Sequence, residues 1–64
     1  MTKVRVTYLT NKVRMECKTV LFVKDSSDTQ HITNILNAQM TNITTPELIG
    51  IQVTNILDIS IIPT

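Results

Sequence analysis

Polar and apolar residues alternate from Thr2 to Thr10, with Val4, Val6 and Tyr8 on one parity and Lys3, Arg5 and Thr7 on the other. That period of two, carried by β-favouring residues, predicts a half-buried strand over 2–10. Thr10-Asn11-Lys12 has turn character, because asparagine tolerates positive φ. Alternation then resumes and predicts a second strand over 13–24. Val13, Met15, Cys17, Leu21 and Val23 share one side; Arg14, Glu16, Lys18, Val20 and Phe22 share the other. A two-residue loop at Asn11-Lys12 would set Thr10 opposite Val13, Tyr8 opposite Met15 and Val6 opposite Cys17. In this register the apolar residues of both strands share a face, as a stable hairpin requires.

The period changes after Asp25-Ser26-Ser27-Asp28. Ile32, Ile35, Leu36, Met40 and Ile43 recur at three- and four-residue spacing, which predicts a helix over 28–41 with one apolar stripe. Ser27 reads as its N-cap, with Gln30 completing a capping box and Asp28 in the favoured first turn. The threonines and asparagines make it a weak helix in isolation, so it needs a sheet to hold it. Asn42 reads as a left-handed terminator, Pro46 as a firm stop, and Pro46–Leu48 as a short turn.

The last apolar segment, 49–62, is rich in isoleucine. Ile51, Val53, Leu57, Ile59 and Ile61 share a parity, opposite Gln52, Thr54, Asp58 and Ser60. At roughly 3.3 Å per residue an unbroken strand of that length would span roughly 46 Å, too long for so small a domain. A bend is therefore expected at 54–56, around Asn55, the polar residue on the inward parity. One kinked strand and a tight hairpin both satisfy the pattern. The fold class implied is α+β, a single β-β-α-β domain over 1–64. Its N-terminal hairpin and C-terminal strand form a sheet covered on one face by the helix.

At 64 residues such a domain buries only about 60% of the surface of its unfolded chain, and its core is small. Domains of this size are often reinforced by disulfides, a metal or oligomerisation. The lone Cys17 excludes an internal disulfide, and one Cys with one His cannot make an ordinary zinc site. Self-association is what remains, and a homodimer is expected. Lys3 and Arg5 interrupt the N-terminal apolar stretch, so no signal peptide is read, and no apolar run reaches the ~20 residues of a membrane span. A cytoplasmic protein follows, in which the Asn42-Ile43-Thr44 sequon is accidental. The abundance of Ile, Thr and Asn suits a low-GC genome such as that of a phage or mobile element.

Charge adds the one outward-pointing feature. All six cations fall in the first 24 residues, accompanied there by Glu16 alone, while the other four acids follow. In the expected register Lys3, Arg5, Arg14 and Lys18 share the face opposite the core, with Arg5 directly across from Lys18. Opposed like charges destabilise a sheet, so such a pair suggests an anionic partner. Val20 and Phe22 lie on the same face, and Ile56 and Ile62 would join it if parity holds along the last strand. Together they describe an apolar patch beside a basic stripe, the make-up of a protein-docking surface. The plainer reading is a solvated sheet face whose charges resist aggregation.

Nucleic-acid binding by the same stripe is the alternative. A pI near 7.9 and a single aromatic residue, Phe22, on that face weigh against it. A structural subunit of a larger assembly is a further alternative. Catalysis finds no support: no Ser/His/Asp or Cys/His set, no paired carboxylates and no glycine-rich loop. Cys17 and Met15 read as core residues, as does Met40; His31 reads as a surface helix residue and Tyr8 as a core residue with its hydroxyl at the rim. The sequence thus points to a non-catalytic interaction module that docks a protein through Lys3, Arg5, Arg14, Lys18, Val20 and Phe22. No cofactor, metal, membrane or small-molecule substrate is expected.

Overall fold

A computed structural model describes residues 1–63; Thr64, the last position of the expected domain, lies outside them. The elements are β1 (Thr2–Thr10), β2 (Cys17–Val23), α1 (Thr29–Met40) and β3 (Val53–Ile61), with a 3₁₀ turn at Pro46–Leu48 before the last strand. The sheet order is β2-β1-β3, and β1 is antiparallel to both neighbours. β2 and β3 therefore run the same way on either side of β1, and α1 connects them across one face. This is the α+β, β-β-α-β arrangement expected from the periodicities.

The hairpin differs from expectation in its register. Tyr8 pairs with Cys17, Val6 with Thr19, Val4 with Leu21 and Thr2 with Val23. Each partner lies two residues further along than expected, so β2 begins at Cys17 and residues 11–16 form a longer loop. A slip of two leaves every side chain on its expected face, which is why periodicity cannot choose between the registers. The backbone and the third strand do choose. A two-residue type I′ loop needs positive φ at both centres, yet no non-glycine residue among those described has positive φ. Asn11 is instead drawn toward the segment entering β3. Its backbone N–H donates to Gln52 O (3.1 Å), its Oδ1 accepts from Gln52 N (2.8 Å) and its Nδ2 donates to Gly50 O (3.2 Å). Thr10 Oγ1 accepts from Val13 N (3.0 Å) and starts the loop. Met15, expected inside, is carried out with the loop and is 76% exposed.

The helix starts one residue later than expected and is capped differently. Asp28 is the N-cap, its Oδ1 accepting from His31 N at 3.1 Å. Ser27 is occupied elsewhere, donating through both its N–H and its hydroxyl to Asp25 Oδ1. An aspartate side chain one residue further on serves the same orphan N–H groups, so the expected Ser27–Gln30 box is unnecessary. At the other end Thr41 stays right-handed and its hydroxyl donates to Ala38 O (2.7 Å). Asn42 is thus no left-handed terminator. The positive φ falls at Gly50 (+83°), where an added Cβ would meet nothing within 4 Å. Glycine there serves backbone conformation, not space.

β3 is one strand, shorter than the expected 49–62, and it holds its face by slipping register twice. Val4, Val6 and Thr7 pair with Ile61, Ile59 and Asp58; Tyr8 then pairs with Ile56, and Thr10 with Val53. Leu57 and Thr54 are the extra residues at the two irregularities, on either side of Asn55. Each bulge inverts parity once. Ile56 is thereby turned onto the core face, where it packs partly buried against the core, and Leu57 is left 48% exposed. This is the physical form of the expected bend, and it corrects the assignment of Ile56 to the outer face.

The core consists of Val4, Val6 and Tyr8 from β1, Leu21 and Val23 from β2, and Ile32, Leu36 and Met40 from α1. The helix enters from the end of β2 and reaches the start of β3, where Asn37 Oδ1 accepts from Val53 N at 2.9 Å. Cys17 and Ile59 are only partly covered, and Ile61, at the far corner of the core face, is 62% exposed.

Candidate interaction face

Among the described residues no helix lies over the outer face of the sheet, and its side chains fall into cross-strand rows. One row is Phe22, Lys3 and Ile62, since Lys3 pairs with Phe22 and Ile62 N–H donates to Lys3 O at 2.9 Å. The next is Val20, Arg5 and Ser60; the third is Lys18, Thr7 and Asp58. The face therefore grades from an apolar end to a charged end. Phe22 is 60% and Val20 44% exposed, large values for residues of a regular strand. Lys3, between two apolar neighbours in its row, is half-buried.

Of the six residues singled out from the sequence, five share this face: Lys3, Arg5, Lys18, Val20 and Phe22. Arg14 does not. It lies in the 11–16 loop, because β2 starts three residues after it. The expected opposition of Arg5 and Lys18 is also absent. Arg5 faces Val20 and Lys18 faces Thr7, so the two cations are diagonal neighbours, typically roughly 7–8 Å apart. The strain that would have favoured a bound anion between them is gone with the register. Ile62 joins the patch as expected, and Ile56 does not.

An acid that sequence analysis placed only by parity completes the face. Asp58 stands in the row of Lys18 and accepts from Ser60 Oγ at 2.7 Å. Among the described residues the face thus bears three cations and one carboxylate around an apolar end, a mixed surface with a basic excess.

Elsewhere the chemistry is sparse. Cys17 is half-buried, and its thiol donates to Met15 O at 3.7 Å. Burial pushes the Tyr8 phenol above its ordinary range, with the charge of a Cys17 thiolate adding to it. The Asp25 carboxyl is held below its ordinary range by the hydrogen bonds from the Ser27 hydroxyl and N–H. A hollow of about 280 Å³ opens between the end of α1 and the loop before β3, lined by Asn37, Met40, Ile43, Ile49 and Ile51 among others. It falls just below the range of roughly 300–1,000 Å³ usual for ligand pockets. Among the described residues no cluster of three or more His, Cys, Asp or Glu is placed to hold a metal, and no helix is long and apolar enough to cross a membrane.

Neither protein-family models nor curated proteins nor solved structures yield a match to this chain.

Proposed function

We propose that this chain is a small, non-catalytic interaction module of the cytoplasm that self-associates and docks an acidic protein partner through the outer face of its sheet. The observation that carries the reading is the exposure of Phe22 and Val20 in the same strand as Lys18 and beside Lys3 and Arg5. An exposed aromatic flanked by cations supplies apolar contact for affinity and charge for orientation. The partner is acidic because the face carries three cations against Asp58. Protein is favoured over nucleic acid because Phe22 is the sole aromatic available to stack bases, and Asp58 stands in the row where a phosphate would meet Lys18.

The test is affinity capture from the native host with wild type, Phe22→Glu and Arg5→Glu/Lys18→Glu in parallel. Both variants alter exposed side chains and are expected to fold with stability within ~0.5 kcal/mol of wild type. Loss in both variants of a partner held by wild type supports the reading; full retention by both overturns it. Binding of a nucleic acid whose log affinity falls with log salt at about −0.9 per phosphate contact would replace it with the nucleic-acid alternative.

A further inference from the structure

The two edges of the sheet are unlike. β2 carries Lys18 within it and Lys24 just beyond its end, the charged residues that keep an edge strand from pairing. β3 carries Asp58 alone, and the stretch from Ile59 to Ile62, one residue past its end, has no charge before Pro63. Among the described residues no strand lies beyond it. The bulges at Thr54 and Leu57 confine its regular portion to Asp58–Ile62.

The direction of the free backbone groups in that portion follows from one bond. Ile62 N–H donates to Lys3 O, toward β1. Bonding direction alternates along an antiparallel strand, so Ser60 also faces β1 while Ile59 and Ile61 present their N–H and C=O groups outward. The side chains of Ile59 and Ile61 lie on the core face, at the corner α1 leaves uncovered; Ile61 is 62% exposed there.

We infer that β3 pairs antiparallel with β3 of a second copy, about a two-fold axis through Ser60, to make one continuous sheet. This supplies the surface for the self-association in the reading above and leaves the outer docking face free. In this register Ile59 meets Ile61 of the second copy, each pair exchanging both N–H···O bonds. The isoleucines of both copies cover one another across the axis, and no like charges are opposed, since Asp58 meets Ile62. A second copy is the occupant because the outward groups of Ile59 and Ile61 are self-complementary about that axis. The assembly also closes: its outer edges are the two β2 strands, each guarded by lysine. Pairing through β2 about Leu21 would instead set Lys18 against Lys24.

The test is sedimentation of the intact chain over a micromolar concentration series. Wild type is expected to be a dimer. Ile61→Pro removes an N–H that the isolated fold does not use, and Ile61→Lys charges a side chain already exposed. Either is expected to weaken the dimer by roughly tenfold or more without altering the far-UV spectrum. Ser60 is its own partner at a close, non-hydrogen-bonded site, so Ser60→Cys in a Cys17→Ser background is expected to give a covalent dimer on mild oxidation. Asn55→Cys in the same background is expected to give none. A wild type that stays monomeric throughout, a dimer indifferent to both Ile61 variants, or a dimer that Ser60→Cys fails to cross-link overturns the inference. Phe22→Glu separates the two proposals: it is expected to leave the dimer intact while abolishing docking. Loss of the dimer in Phe22→Glu would move self-association to the outer face and overturn the edge pairing.

Discussion

Asp28 shows how much of a weak helix rests on one side chain. α1 contains three asparagine or threonine residues in its first six positions and no basic residue in its last turn, so local propensity and dipole offer it little. The Asp28 carboxylate, accepting from His31 N, satisfies one of the four orphan donors at its start. Asp28→Ala is expected to cost about 1 kcal/mol. In a domain this small that lowers the melting temperature by roughly 4–8 °C, which differential scanning calorimetry would measure. Ser27→Ala, by contrast, touches only the Asp25 turn. The same segment marks a limit of sequence reading: Ser27, Asp28 and the following helix pattern are all visible, but serine and aspartate are about equally good caps. Which one serves depends on whether Asp25 engages Ser27 first, and that is a matter of loop geometry.

Among elements, the junction of α1 with β3 is the contact that fixes the layers. Asn37 reaches from the helix to the N–H of Val53, a donor at the strand's first residue that β1 does not satisfy through a regular ladder. Asn37→Ala is expected to leave that partly buried N–H unpaired and to cost roughly 1–3 kcal/mol, read from the denaturation midpoint. Hydrogen exchange at Val53 and its neighbours should accelerate more than exchange in β1. Sequence patterning located β1 and α1 almost to the residue, because each obeys a single period throughout. It misplaced the start of β2 and the outer-face membership of Ile56 for two separate reasons. A slip of two is invisible to a period of two, and a bulge breaks the period without any distinctive residue: Leu57 and Thr54 are ordinary strand residues. Arg14 was lost from the candidate site by the first effect, and Ile56 by the second.

For the molecule as a whole, the small core makes stability sensitive to the state of one titratable group. Tyr8 is buried with its phenol neutral, and burial, then the charge of Cys17, raises its pKa. A raised acid pKa means that the stabilisation is fully present below the unfolded value of about 10 and is lost as pH rises through the higher folded value. Urea midpoints of wild type are therefore expected to fall more steeply above pH about 10 than those of Tyr8→Phe, which has no phenol to ionise. Equal slopes would mean that Tyr8 reaches water freely at the rim. The same economy of core makes the uncovered Ile59–Ile61 corner consequential, because a second copy pairing there adds apolar burial that the chain lacks alone.

The element types, their order and the face to which most side chains belong follow from local periodicity and from the hydrophobic effect acting along each strand or helix, and are written in the chain. Lys3, Arg5, Lys18, Val20 and Phe22 are likewise placed on one surface, since parity survives an even slip. Which residues stand opposite one another is settled only when the strands pack together. The end of β1 is held by Asn11 bonding to Gly50 and Gln52, 39 and 41 residues away, and not by a tight turn into β2. The face of Ile56 is set by bulges that form only against β1. Those are long-range backbone contacts, and no period in the chain encodes them. They turned an apparent clash of Arg5 with Lys18 into a graded surface with Phe22 at one end and Asp58 at the other.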